Sequence, residues 1–250
     1  MNCDLGEVTG NWSNSHEAPL IGVVSSANVA CGGHAGDAES MLAVCRAAAR
    51  HGVAVGAQVS YPDREGFGRR FIDIGSEVLF SSLRRQFDDL ERAASRADTH
   101  VTYIKPHGAL YNAIVTNDVH AQCVVDLARA RSVPLLGLPG SRVERLARDS
   151  GVEFVVEFFA DRNYTAQGTL VPRIEPDALV TDPGVAARRV GEMLTHRRVT
   201  ANTGHVVTVH GRSVCVHSDT NGAEILLTTI RQHIAELGWA VKAFTATGDR

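Results

Sequence analysis

Residues 101–112 read Val-Thr-Tyr-Ile-Lys-Pro-His-Gly-Ala-Leu-Tyr-Asn, a short apolar run that ends on a lysine and opens into a polar, glycine-punctuated turn. The β-branched and aromatic residues at 101–104 suit a strand, and Pro106 with Gly108 ends it. An amphipathic helical pattern follows at Asn117–Arg131. The same unit recurs along the chain. Strands are predicted at Leu20–Ser25, Val53–Gln58, Val101–Lys105, Leu135–Leu138, Phe154–Phe158, Val206–Val209 and Val214–His217, with a truncated one at the very start. Helices are predicted at Ala38–His51, Ser76–Ala97, Asn117–Arg131, Arg142–Asp149, Pro183–His196 and Gly222–Gly238. Asp37 suits the cap of the first and Gly52 its end; Asp182 and Pro183 suit the start of another.

Strands alternating with helices imply a mostly parallel sheet. About eight strands without a G-x-G-x-x-G turn favour a closed or nearly closed α/β barrel over a dinucleotide-binding fold. No Pro/Gly/Ser linker or repeat interrupts residues 1–250, so a single domain is expected. The stretches Val59–Arg70 and Asp161–Arg173 are too polar and glycine-rich for core and are expected to be active-site loops.

With 250 residues, 44% hydrophobic and 21% charged, the composition is that of an ordinary globular protein. A net charge of −3 with intermixed signs gives no nucleic-acid surface. The five scattered cysteines contain no C-x-x-C pair, which suits reduced thiols. No segment approaches the roughly 20 apolar residues of a membrane span. A cytoplasmic location follows as the expectation, and self-association into a homo-oligomer is left open.

Five polar clusters fall where strand-like runs end. In a parallel barrel all such points share one face, which makes an enzyme the leading expectation. Asp4 and Glu7 flank Leu5-Gly6; they suit proton transfer or metal binding, and equally a turn with a helix cap. Asn28 and His34 belong to NVACGGHAGD (28–37), whose Gly32-Gly33 lets backbone N–H groups face a ligand. Lys105 would point into the barrel mouth, where a buried ammonium needs an anion, with His107 on the same side and Tyr111 and Asn112 one turn on. Glu157 sits alone among apolar strand residues, and Asp161-Arg162 reads as a simple ion pair. Arg69 and Arg70, with Arg173 on the later loop, suit a carboxylate or phosphate. Asp219, two residues from His217, is placed to orient that imidazole. No G-x-S-x-G, P-loop or H-E-x-x-H motif occurs.

As a set, NCDLGE, SANVACGGHAGD, YPDREGFGRR, KPHGALYN, EFFADRNYTAQGTLVPR and CVHSDT resemble the LamB/YcsF family, in order from residue 2 to about residue 236. The resemblance implies an irregular seven-stranded (β/α) barrel of the glycoside hydrolase/deacetylase type. It also implies the A-subunit role in ATP-dependent 5-oxoprolinase, which cleaves the lactam of 5-oxo-L-proline (pyroglutamate) to L-glutamate in complex with subunits B and C. In the family the block around Gln58 usually carries His-Pro, and the block at His217-Ser218-Asp219 reads His-Gly-Asp. Glutamine can hydrogen-bond but is a poor metal ligand and no base.

Hydrolysis of an unstrained lactam needs a driver, and phosphorylation of its oxygen is one. The expected roles are Asp4, Glu7 or His107 as base, with Lys105 and Arg70 neutralising oxyanion or phosphate. Two alternatives stand beside this: a metal-dependent deacetylase or amidohydrolase using Asp4, His34 and His107 or His217 as ligands, and a non-catalytic subunit that binds a small carboxylate. A divalent ion would enter either as Mg with ATP or as such a bound metal.

Overall fold

A computed structural model describes residues 1–8 and 10–245. Seven strands form a closed parallel barrel: β1 (Asn2–Leu5), β2 (Ser26–Ala30), β3 (Ala54–Gln58), β4 (Val101–Ile104), β5 (Leu135–Gly137), β6 (Phe154–Phe159) and β9 (Ser213–Val216). They neighbour one another in that order, and β9 closes on β1. Around them run α1 (Ala38–His51), α2 (Ser76–Ser95), α4 (Asp118–Arg131), α5 (Arg142–Asp149), α6 (Pro183–His196) and α7 (Ala223–Glu236). A six-residue helix, α3 (Gly108–Ala113), lies directly beyond β4. Asp37 caps α1 through a reciprocal bond pair with Ser40, and Gly52 ends it in the left-handed region, in line with the sequence pattern.

Two predicted strands are elsewhere. Leu20–Ser25 is not a strand: Pro19 starts a 3-10 helix over Ala18–Gly22, and the strand is Ser26–Ala30, placed in register with β1 by Asp4 opposite Asn28. Pro19 lacks the N–H a ladder needs, whereas the whole of 26–30 is buried. Val206–Val209 supplies β8 (Val206–Thr208), which pairs antiparallel with β7 (Arg198–Thr200) in a hairpin outside the barrel. Its pattern is exposed, half-buried, exposed, which fits a ribbon and not a barrel wall.

The side-chain period of two sorts the strands into an outer set under the helices and an inner set filling the barrel. The lowest inner layer is apolar, with Ala54, Tyr103, Leu136 and Val155 closed from below by Phe244. Above it come Asn2, Asn28, Glu157 and Ser213, then Asp4, Gln58, Lys105 and Cys215, all buried. A polar interior is costly unless its members satisfy one another. Here Asn2 bonds Glu157 and Ser213, and Asn28 bonds Asn2 and Asp4. The Tyr103 hydroxyl donates to Asn28 Oδ1 at 2.7 Å, joining the apolar floor to the polar layers.

Gly56 makes room for that tyrosine. A Cβ there would overlap the Tyr103 ring, which is fully buried and cannot retreat. Gly56→Ala is therefore expected to destabilise the barrel by about 1–3 kcal/mol through overpacking. A denaturant midpoint equal to that of the parent protein would refute this fit.

Candidate active site

The C-terminal ends of the strands and the loops beyond them enclose a cavity of about 650 Å³. Asp4, Lys105, His107 and His217 form its floor and near wall, and Tyr111 lines it from α3. Arg69, Arg162 and Arg173 also line it, from the two loops expected to border a site. Asn112 also faces it, but its amide donates to Gly108 O at 3.1 Å within its own helix.

Lys105 is 3% exposed. Its ammonium donates to Asn2 Oδ1 at 3.0 Å and Cys215 Sγ at 3.0 Å, and lies 3.3 Å from Glu157 Oε2 and 3.5 Å from Asp4 Oδ1. Burial alone would lower its pKa, but the neighbouring Asp4, Cys215 and Glu157 outweigh burial and hold it well above the usual lysine value. Reciprocally, burial would raise the Asp4 pKa, and the Lys105 ammonium, the largest influence against it, holds it well below the usual carboxylate range. Asp4 is thus a weak base. Glu157, expected near substrate, instead belongs to the inner layer beneath Lys105.

Behind the near wall lies a second network. Glu7 Oε1 accepts from His34 Nε2 at 3.0 Å and from Gln58 Nε2 at 2.9 Å, with His107 Nδ1 3.4 Å away. Gln58 Nε2 also contacts His107 Nδ1 at 3.0 Å, and His107 Nε2 lies 3.1 Å from the Phe67 carbonyl. Both nitrogens of His107 are therefore engaged, and the Glu7 carboxylate dictates which way the Gln58 amide faces. Burial drives the His34 pKa down to about 3 and lowers that of His107, so both rings are neutral. Burial also raises the Glu7 pKa. Gly68 and Gly108 let the loop carrying Phe67 approach this closely: Ala109 N donates to Gly68 O at 2.8 Å, and both glycines have positive φ.

Glu7, His34 and His107 are the one trio of metal-type donors that converges among the described residues, with donor atoms all within 4.8 Å. The two imidazoles, however, stack with centroids 3.7 Å apart and planes only 7° from parallel. A ligating nitrogen points its lone pair in the ring plane, and two parallel planes share no point where one ion could meet both. The trio as arranged does not fit a metal ion, and Gln58 adds its N–H₂ to it and not an oxygen ligand.

His217 is arranged differently. Its Nδ1 sits 3.0 Å from Asp161 Oδ2, which also accepts from the His217 backbone N–H at 2.9 Å and from Thr220 Oγ1 at 2.7 Å. Burial would raise the Asp161 pKa, but His217 and these donors lower it overall, so the carboxylate stays ionised. With Nδ1–H given to Asp161, Nε2 carries the lone pair, on a side chain that lines the cavity. Phe159 stacks on the ring at 5.4 Å.

The expectation that Asp219 orients His217 fails. Asp219 instead receives Arg69 and both terminal nitrogens of Arg173, from two separate loops. The strand has ended by Val216, so position 219 is carried outward to the rim while Asp161, at the end of the neighbouring β6, reaches the imidazole. The Asp161–Arg162 ion pair is absent for the same reason. Arg70 turns away from the cavity onto Asp63. Glu17 had no signal in the sequence, yet it accepts from Gly6 N, Glu7 N and Trp12 Nε1 and so sets the Asp4–Glu7 turn. Asn2, Ser60, Phe67, Cys215 and Thr220 were likewise missed as partners of the site.

A model of the LamB/YcsF family matches residues 1–249. Among curated sequences, the chain is 47% identical over 246 residues to the protein named as the A subunit of 5-oxoprolinase in Streptomyces avermitilis, covering 98% of each. It is 49% identical, with the same coverage, to the protein of that name from Streptomyces griseus. Among solved structures, a lactam utilization protein from Thermus thermophilus superposes with a TM-score of 0.91 at 34% identity, covering 98% of both chains.

Proposed function

The chain belongs to the LamB/YcsF family, and on that premise we propose that it acts as the A subunit of an ATP-dependent 5-oxoprolinase, opening the lactam of 5-oxo-L-proline to L-glutamate. The observation that carries the reading is the His217–Asp161 pair on the cavity wall, a base with one nitrogen anchored and the other available. ATP supplies the phosphoryl group that activates the lactam oxygen. His217 Nε2 then takes a proton from water as its oxygen bonds the ring carbon. The C–N bond breaks as the ring nitrogen takes up the proton held by His217, which leaves an amine and a γ-carboxyl phosphate. A second water then hydrolyses that acyl phosphate to L-glutamate and inorganic phosphate.

Lys105 stands against charge developing on the carbonyl oxygen, and the Tyr111 hydroxyl, which lines the same cavity close to the Glu157 carboxylate, is a second donor there. Burial raises the Tyr111 pKa well above the usual value, which keeps the hydroxyl a donor. Asp4 keeps Lys105 charged, and the Glu7–His34–Gln58–His107 network stiffens the near wall. Gln58 replaces the family's usual histidine as a donor that holds Glu7 and His107, a duty that needs no base. This division of roles replaces Asp4, Glu7 or His107 as base and removes Arg70 from the site.

The partners in this reading are the B and C subunits. The test is glutamate formation from 5-oxo-L-proline and ATP, with and without those subunits. Glutamate and ADP formed together only in the full mixture are expected. Binding of 5-oxo-L-proline without turnover in that mixture would reduce the chain to a carboxylate-binding role, and neither binding nor turnover would overturn the reading.

A further inference from the structure

Arg162 is the one arginine on the cavity wall that lacks a counter-ion among the described residues. Its residue is 7% exposed, its Nη2 donates to the Val171 carbonyl, and its Nε has no hydrogen-bond partner. The adjacent Asp161 is committed to His217 and Thr220. Arg69 and Arg173, the other two arginines on the wall, both pair with the single carboxylate of Asp219. The backbone of Arg162 is pinned by a bridge to Leu179, and Arg189 donates to its carbonyl at 3.2 Å. The guanidinium is therefore held in place by its surroundings and not by an anion of the protein.

A buried charge without a partner is among the costliest arrangements a fold can hold. A guanidinium is matched in shape and charge by a carboxylate, which accepts two of its N–H groups side by side. From this we infer that Arg162 anchors the carboxylate of the lactam substrate, with the ring extending inward toward Lys105, Tyr111 and His217. The inference rests on the lactam reading above and adds the substrate group that the site selects. Arg173 strengthens the local positive potential, consistent with a lowered Arg162 pKa caused by burial first and by Arg173 second. Asp219 offsets only one of the two charges on Arg69 and Arg173, so together with Arg162 the wall keeps a net positive charge, suited to an anionic lactam.

The test compares 5-oxo-L-proline with 2-pyrrolidinone, the same ring without its carboxylate, by calorimetric titration of the protein with its partner subunits present. The parent protein is expected to prefer 5-oxo-L-proline. Arg162→Met should weaken 5-oxo-L-proline by about 100-fold, the scale for stripping one partner from a buried charge pair, and leave 2-pyrrolidinone unchanged. Arg162→Lys should recover part of the loss. If Arg162→Met melts early, the same ratio of the two ligands in Arg162→Lys and Arg173→Met decides: loss at 173 with none at 162 overturns the assignment. Equal binding of both lactams by the parent protein also overturns it and leaves the lactam reading standing. If the parent binds neither ligand, the lactam reading itself has failed.

Discussion

A His217→Ala protein is expected to lose about 10²–10⁴ of its turnover with its partners present, the usual worth of a positioned general base. Its KM for 5-oxo-L-proline should change little, because the imidazole acts on water and not on the carboxylate. Asp161→Asn is the more informative companion. The amide oxygen would keep the place of Oδ2, where the His217 N–H and Thr220 donate, and the amide N–H₂ that of Oδ1, 3.2 Å from Nδ1. The packing stays the same, but the anion that stabilises the imidazolium formed during turnover is gone. The two replacements should be strongly non-additive, the double variant being hardly worse than either alone. Parent-level turnover in Asp161→Asn would eliminate His217 as the base.

Lys105→Met should be as severe and should act through stability as well as chemistry. Removing the ammonium leaves Asp4 and Glu157 buried with no cation between them, which costs about 3–5 kcal/mol for a broken buried pair. The pH dependence gives the diagnosis. In the parent protein the folded-state pKa of Asp4 is depressed, so its contribution is fully present above the usual carboxylate range of about 3.9 and is lost as pH falls through the depressed value. Without Lys105, the burial that otherwise raises the pKa is no longer outweighed by that cation, and the sign reverses. Relative to the parent, the variant should regain stability as pH falls from neutrality toward pH 4, a range over most of which the parent's Asp4 is ionised both folded and unfolded and adds no slope. Denaturant midpoints taken across pH 4–8 check this, and parallel curves for the two proteins would reject the role given to Lys105.

Much of the fold was legible because hydrophobic alternation is a local property. The strands at 53–58, 101–105, 135–138, 154–158 and 214–217 and all six long helices lie within a few residues of where their patterns put them. The errors have local causes too. The run at 20–25 is apolar enough for a strand, but Pro19 shapes it into a 3-10 turn, and the strand falls on the more polar Ser26–Ala30. That segment is unusual because its Asn28 faces a polar barrel interior, where its amide is satisfied by Asn2, Asp4 and Tyr103.

The site divides along the same line. Which residues stand at the strand ends, and hence on one face of a barrel, follows from the order of strands and helices along the chain. Asp4, Lys105, His107 and His217 were identifiable on that ground. Their pairings were not, because side chains choose partners across neighbouring strands and not along their own. Asp161 orients His217 from β6, Asp219 spans two loops, and Arg162 is left alone beside the acid that precedes it in sequence. Barrel closure brings β6 beside β9 and β9 beside β1, and only that closure turns a set of polar strand ends into a base with its orienting carboxylate, a compensated lysine and one unpaired guanidinium.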